Sequence, residues 1–135
     1  MKLSIIVLLM LIAARFSYAD TTDSWHVYYN QKQIGDFAEY SDSNILTISC
    51  SAVHDKDSLH VSYFKDAPCS DCQMHLVFYQ GKDRIFESPK VFGTFSLLSV
   101  PIAPLIRFKK ERSSLTVFYA EDNRRLRYLF NLQLR

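Results

Sequence analysis

The sequence predicts an all-β protein: a single small antiparallel β-sandwich, immunoglobulin-like or related, with about eight strands. Three observations support this fold class. From Trp25 onward apolar and polar residues alternate with a period of two, turn signals recur about every ten residues, and no longer segment carries a convincing helical stripe. Residues 20–135 have the length of one domain and can bury a core without further support.

The predicted strands follow one another closely along the chain. Short turns separate them, and Gly35 lies inside the second strand, where glycine is typical of a bulge. The last strand alternates most regularly, with Tyr128 and Phe130 on its apolar face and Arg127 on its polar face. The predicted strands are residues 25–30, 33–40, 44–53, 58–64, 73–80, 84–88, 94–100, 115–121 and 126–135.

Residues 101–114 form an irregular connection between two of these strands. Pro101 and Pro104 disfavour a central strand there, because proline cannot donate a hydrogen bond to a neighbouring strand. The sequence therefore predicts a loop with room for a single helical turn.

Residues 1–19 have the layout of a secretory signal peptide. Residues 4–14 form an apolar run, and Ser17-Tyr18-Ala19 places small residues at positions −3 and −1 of a cleavage point. The run is short for a membrane span, which needs roughly 20 residues, although Arg15 directly after it leaves an uncleaved anchor as the alternative. We expect a secreted or periplasmic protein that starts at Asp20 and does not associate with a membrane after cleavage.

The charge of the predicted mature chain is balanced. The full chain has 16 Lys and Arg against 14 Asp and Glu, and residues 1–19 contain two bases and no acid, so 14 of each remain. Acids predominate in residues 20–87 and bases in residues 88–135, which we expect to pair within one fold. The basic residues Arg107, Lys109, Lys110 and Arg112 are too few to indicate a nucleic-acid partner, and we expect none.

The segment DAPCSDCQMH, residues 66–75, has the greatest potential for chemistry. Pairing Val61 with Leu76 in a hairpin of the two flanking strands would match every apolar residue on one face and place Cys69 and Cys72 at the hairpin tip. The neighbouring proline, serine and aspartate are turn formers. Because such a pair is normally oxidised in an exported protein, the sequence predicts a local Cys69–Cys72 disulfide.

A thiol–disulfide oxidoreductase is one alternative for this segment. The stretch LHVSYFKDAPCSDC resembles the approach to the active site in the thioredoxin-like family, and SVPI, residues 99–102, has a valine-proline pair where that family places a cis-proline. This resemblance covers about a third of the chain and implies a redox role for Cys69 and Cys72. In that family a helix begins at the CxxC motif and lowers the pKa of the first thiol, whereas QMHLVFYQ follows here and has a strand pattern.

A metal site is the other alternative. Cys69, Cys72 and His75 have the spacing C-x2-C-x2-H, and these ligand types suit zinc or copper. In the hairpin register His60 would be a diagonal neighbour of His75 on the outer face. The sequence has no second ligand pair at matching spacing, so we expect no metal or other cofactor in the working protein.

Cys50 is predicted to be a buried thiol. It is in phase with Leu46, Ile48 and Ala52 in the third strand, where a cysteine packs as a small apolar residue. A bridge from Cys50 to Cys69 or Cys72 would require the loop to fold onto that strand.

The sequence favours a non-catalytic binding protein. It has no nucleophile elbow, zinc-protease motif or glycine-rich phosphate loop. The strand 73–80 is apolar on both faces. Either the rest of the protein covers both faces, or one face is a binding surface. Clustered exposed aromatic residues mark recognition sites, and Tyr28, Tyr63 and Tyr79 are the candidate rings for a protein, peptide or carbohydrate ligand.

Overall fold

The chain folds as two β-sheets packed face to face, as a computed structural model describes it. In the described part of the chain 56% of the residues are in strands and 7% in helices, which confirms the predicted all-β sandwich. The predicted signal peptide, residues 1–19, and the basic residues 109, 110 and 112 lie outside the described part. The structure describes residues 22–41, 43–93, 95–108, 114–122 and 124–135.

The described elements are ten strands, one short α-helix and one 3₁₀ turn. In chain order they are β1 (Ser24–Tyr29), β2 (Lys32–Ala38), β3 (Ile45–Ile48), the 3₁₀ turn (Cys50–Ala52), β4 (Ser58–Phe64), β5 (Gln73–Gln80), β6 (Asp83–Glu87), β7 (Val91–Phe92), β8 (Leu98–Pro101), α1 (Ala103–Ile106), β9 (Ser114–Glu121) and β10 (Arg127–Leu134).

The strands form a four-stranded and a six-stranded sheet. Sheet A has the order β2-β1-β4-β8, and sheet B has the order β3-β10-β9-β5-β6, with β7 paired to the first residues of β5. The pair β3–β10 is parallel and the other described pairs are antiparallel. The chain therefore changes sheet repeatedly, and each change carries a connection over an end of the sandwich.

The core lies between the sheets and is built from the inward residues of both. Trp25, Phe78 and Phe130 are its largest fully buried side chains. Tyr63 of sheet A stacks on Trp25 with ring centroids 5.9 Å apart and on Tyr119 of sheet B with centroids 4.2 Å apart. This row of rings joins the two sheets near one end, where the site described below lies.

The predicted hairpin of residues 58–80 is wrong. β4 pairs with β1 and β8 in sheet A, whereas β5 pairs with β6, β7 and β9 in sheet B. Val61 and Leu76 are both fully buried, but in opposite sheets. Two strands that face one core from opposite sides have the same apolar alternation as two paired strands. Residues 65–72 are therefore a crossover between sheets, and not the tip of a hairpin.

The third strand is shorter than predicted, which changes the surroundings of Cys50. The strand ends at Ile48, and the chain turns at Cys50–Ala52, where the Cys50 N–H donates to the Arg135 carbonyl. Cys50 is half-buried and not bridged, and Ala52 is exposed. The alternation of buried residues therefore ends with the strand, and Cys50 is not the fully buried thiol that the sequence predicts.

The last strand contains an irregularity that the alternation did not predict. A register shift between Tyr128 and Phe130 in the pairing with β9 reverses the phase of the strand. Leu129 and Phe130 are therefore both buried, whereas Tyr128 is 38% exposed. The prediction that Tyr128 belongs to the apolar inner face is wrong for this reason.

The irregular connection after β8 contains the predicted helical turn. Pro101 ends β8, an edge strand of sheet A, where a missing N–H is tolerated. Pro104 lies in the first turn of α1, and the fully buried Leu105 anchors this turn to the core. Among the described helices, none has the length and apolar character that a membrane span requires.

Candidate functional site

Cys69 and Cys72 form a disulfide in the crossover from β4 to β5, so the predicted pairing is present. Their Cα atoms are 5.8 Å apart, and Cys72 is buried whereas Cys69 is half-buried. β5 begins at Gln73, so no helix starts at either cysteine, and the described residues contain no cis peptide bond. The fold is therefore not that of the thioredoxin-like family.

A neighbouring loop supports the disulfide. The Gly93 N–H donates to the Cys72 carbonyl at 3.0 Å. Gly93 has φ of +80°, and a Cβ atom there would lie 3.2 Å from the carbonyl oxygen of Ser70. Both the backbone conformation and the close approach favour glycine.

Glu121 is a buried acid beside this disulfide. It ends β9 and is 3% exposed, and its Oε1 lies 3.9 Å from Sγ of Cys69. The Lys65 ammonium donates to both carboxylate oxygens at 2.8 Å. The Tyr119 hydroxyl donates at 2.9 Å, and Nη1 of Arg124 lies 2.9 Å from Oε1. The two oxygens thus receive several charged or polar donors.

These donors keep Glu121 ionised. Burial would raise the pKa of Glu121, but the hydrogen bonds from Lys65 and Tyr119, with the charges of Lys65 and Arg124, outweigh it and lower the pKa. Burial and the hydrogen bond to Glu121 raise the pKa of Tyr119, so its hydroxyl stays a neutral donor.

A second charged cluster lies next to the first. Asp23 accepts hydrogen bonds from the Tyr63 hydroxyl at 2.6 Å, the Asp66 N–H at 3.0 Å and the Arg127 guanidinium. Burial would raise the pKa of Asp23, but these partners lower it. A cavity of about 200 Å³ adjoins both clusters and is lined by Asp23, Tyr63, Lys65, Tyr119, Glu121, Arg124, Arg125 and Arg127.

Tyr63 is not the exposed binding ring that the sequence predicts. It is 2% exposed, because it lies in phase with Leu59 and Val61 on the inner face of β4. Its ring belongs to the core and its hydroxyl to the Asp23 cluster.

His75 lies away from the two cysteines. It faces the outer side of sheet B, where its Nε2 is 3.3 Å from Glu87, and burial lowers its pKa. Among the described residues, Cys69, Cys72 and Glu121 form the group whose ligand atoms lie within 4.8 Å of one another. His60 is in the other sheet, so the predicted His60–His75 pair is also wrong.

The outer face of sheet A carries an aromatic surface and a cavity. The ring of Phe64 has its centroid 5.0 Å from that of His26 and 6.3 Å from that of Phe95. Phe64, Phe95 and Leu97 are 38%, 60% and 49% exposed. Beside them is a cavity of about 350 Å³, lined by Tyr28, Asn30, Gln31, His60, Ser62 and Leu97. We call the surface formed by His26, Tyr28, His60, Ser62, Phe64, Phe95 and Leu97 the sheet A face.

The predicted binding ring Tyr79 lies on the opposite side of the sandwich. It is half-buried on the outer face of sheet B, in edge contact with Phe118 at 5.4 Å between centroids. His75 and Val77 on the same face of β5 are buried. Both faces of this strand are thus covered by protein along much of its length.

Comparison of the chain with protein-family models, curated proteins and solved structures gives no match. The functional argument therefore depends on the geometry described above.

Sequence reasoning missed Lys65 and Glu121, although a signal for both is present. In β4, leucine, valine and tyrosine occupy alternate inward positions, and Lys65 takes the next alternate position just after the strand. In β9 the same three residue types alternate in the same order, and Glu121 takes the next inward position. Matching runs that end in opposite charges indicate two strands whose ends meet across a core.

Proposed function

We propose that this protein is an exported, non-catalytic β-sandwich domain that binds a carbohydrate on the sheet A face. The observation that carries the proposal is the cavity of about 350 Å³ in that face. Its volume is within the range of ligand pockets, roughly 300–1,000 Å³. It is open to solvent, and Tyr28 contributes a half-exposed ring at its wall.

The chemistry of the lining favours a carbohydrate over a charged ligand. Asn30, Gln31, His60 and Ser62 provide amide, imidazole and hydroxyl groups, which hydrogen-bond to sugar hydroxyls. The Tyr28 ring offers an apolar surface for the C–H face of a sugar. A peptide would use the same groups differently, with Phe64, Phe95 and Leu97 as apolar contacts.

Two features support export. The Cys69–Cys72 disulfide is of a kind that persists in oxidising compartments. Residues 1–19 have the layout of a signal peptide. Sequencing the N-terminus of protein recovered from the periplasm or the medium should give Asp20 first. Recovered protein that begins at Met1 would contradict export by cleavage.

A glycan array tests the ligand, and a pair of tyrosine variants tests the surface. We expect residues 20–135 to bind a subset of glycans and Tyr28→Ala to weaken that binding about tenfold. Tyr79→Ala is the matched control, because Tyr79 is also half-buried on an outer sheet face but belongs to sheet B. Equal losses in both variants would exclude the sheet A face. Binding of peptides but no glycans, with the same Tyr28 dependence, would exclude the ligand class.

The environment of the disulfide favours a second candidate function, thiol–disulfide exchange. Cys69 is the more exposed of the two bridged cysteines, and Lys65 and Arg124 neutralise the Glu121 carboxylate that lies beside it. An incoming thiolate would attack Sγ of Cys69 and form a mixed disulfide, while Cys72 leaves as a thiolate. Under our proposal wild type reduces insulin no faster than Cys69→Ser/Cys72→Ser. Turnover that disappears in this double variant would make the protein an oxidoreductase.

A further inference from the structure

We propose that reduction of the Cys69–Cys72 disulfide creates a Zn²⁺ site whose ligands are Cys69, Cys72 and Glu121. The three ligand atoms already lie within 4.8 Å of one another. The inference is independent of carbohydrate binding, which is assigned to the sheet A face.

The distances between the ligand atoms fit one metal ion. Zinc binds sulfur at roughly 2.3 Å and carboxylate oxygen at roughly 2.0–2.2 Å, so tetrahedral angles separate a sulfur from an oxygen by about 3.5 Å and two sulfurs by about 3.8 Å. Sγ of Cys69 lies 3.9 Å from Oε1 of Glu121. Once the S–S bond is broken, rotation of the cysteine side chains on Cα atoms 5.8 Å apart can bring the sulfurs to the required separation. The carboxylate needs to move only slightly.

The donor set is one that zinc prefers. Two thiolates and a carboxylate combine soft and hard ligands, which suits the borderline Zn²⁺ ion, whereas copper(I) favours sulfur alone. Their three negative charges exceed the charge of Zn²⁺ by one. Lys65 alone would balance this remaining negative charge, because its ammonium already contacts both oxygens of Glu121.

Lys65 and zinc can share the carboxylate of Glu121. A carboxylate has about four lone-pair positions on its two oxygens, and Lys65, Arg124 and Tyr119 occupy them in Glu121. The Arg124 side chain is 68% exposed and can leave Oε1 to the metal, while Lys65 and Tyr119 stay bonded to Oε2. Hydrogen bonds from groups around a ligand orient it and raise metal affinity. The Tyr119 hydroxyl and the Lys65 ammonium donate hydrogen bonds of this kind to Glu121.

The fourth ligand of the proposed zinc site would be a water. Zinc sites with three protein ligands are completed by water. The cavity of about 200 Å³ borders Glu121 but neither cysteine, and Tyr63, Lys65 and Tyr119 in its lining give a water hydrogen-bond partners on the Glu121 side.

Reduction is the step that forms the site. A dithiol reductant gives two electrons and two protons to the Cys69–Cys72 bond and itself becomes a disulfide. Binding of Zn²⁺ to the two thiols then releases their two protons to solvent. The oxidised protein lacks thiolates, so the metal site is available in the reduced form alone.

Zinc binding to residues 20–135 tests the proposal. Metal analysis and competition with a chromophoric chelator should give one Zn²⁺ per reduced chain and none on the oxidised chain. Glu121→Gln should lower the affinity at least tenfold. The matched control is Glu87→Gln, which removes the acid beside His75, and His75→Ala removes the imidazole itself; both should bind zinc like wild type.

X-ray absorption at the zinc edge on the reduced wild type provides a readout that does not depend on a variant. We expect two sulfur and two oxygen scatterers, without the outer-shell scattering of imidazole. Imidazole scattering, a shell without two sulfurs, or zinc on the oxidised chain would overturn the proposal. So would unchanged affinity in a Glu121→Gln protein that keeps the wild-type circular dichroism spectrum.

Discussion

Replacing Lys65 with methionine should destabilise the fold by leaving the carboxylate of Glu121 without its closest cation. The side chains of Lys65 and Glu121 are 14% and 4% exposed, and the ammonium contacts both carboxylate oxygens at 2.8 Å. Methionine retains much of the apolar length of the lysine side chain. The change therefore removes mainly the charge and its hydrogen bonds.

The structure sets the expected cost below that of an isolated buried charge. Removing one partner of a buried ion pair costs about 3–5 kcal/mol. Here Arg124 and the Tyr119 hydroxyl still contact Glu121, and the Arg124 side chain is 68% exposed and can adjust. We expect Lys65→Met to lower the free energy of unfolding by about 2–3 kcal/mol at pH 7, which leaves a typical domain folded.

The effect should depend on pH in a defined direction. The folded-state pKa of Glu121 is lowered from its usual value of 4.5, so the ion pair stabilises the fold above that value. The stabilisation is lost as pH falls through the folded-state pKa. The cost of Lys65→Met should therefore be largest at neutral pH and should shrink as pH falls, because protonation of Glu121 removes the charge that Lys65 neutralises.

Urea unfolding followed by circular dichroism at pH 7 and pH 3 measures this cost on the oxidised protein. Lys82→Met is the matched control, because Lys82 is exposed, and its effect should stay within about 0.5 kcal/mol. In a double-mutant cycle with Glu121→Gln the coupling energy should be about 2 kcal/mol. Equal costs for the two lysine variants, or a cost of Lys65→Met that does not change with pH, would refute the reasoning.

Four further predictions follow from the same geometry. Cys69→Ser/Cys72→Ser should fold and keep its β-type circular dichroism spectrum. Its free energy of unfolding in urea should fall by about 2 kcal/mol, because a disulfide that closes so short a loop removes little entropy from the unfolded chain. Circular dichroism of residues 20–135 should give a helix content below about a tenth, against a globular average near a third. Unfolded, non-reduced protein should titrate one thiol per chain, and Cys50→Ala should cost about 1 kcal/mol because this side chain is only partly packed. Gly93→Ala should cost about 1 kcal/mol more in urea unfolding than Gly81→Ala, since both glycines have positive φ but only Gly93 approaches Ser70.

The local features of the fold could be predicted from the sequence. Period-two alternation predicted nearly all the strands, and the hairpins β1–β2, β5–β6 and β9–β10 follow the short turns between them. Pro101 and Pro104 correctly marked a connection with one helical turn. Each of these features is determined by residues close together in sequence.

Features that depend on distant residues could not be predicted in this way. The phase of β10 is reversed at Leu129 by its pairing with β9, which the sequence of β10 alone does not contain. Likewise, the partners of β4 and β5 are set by which sheet each strand joins. The eight residues between these strands were the available signal, because hairpin loops usually have 2–5 residues.

The same crossover explains why the disulfide lies beside Glu121. In a hairpin the connection would extend outward from one sheet, and the cysteines would be remote from the core. Since β4 and β5 belong to opposite sheets, their connection must instead pass over the end of the sandwich. That end is where the inward positions of the strands finish, with Lys65 from sheet A and Glu121 from sheet B. The crossover therefore places Cys69 and Cys72 against a buried ion pair, and the proposed zinc site of the reduced protein depends on this arrangement.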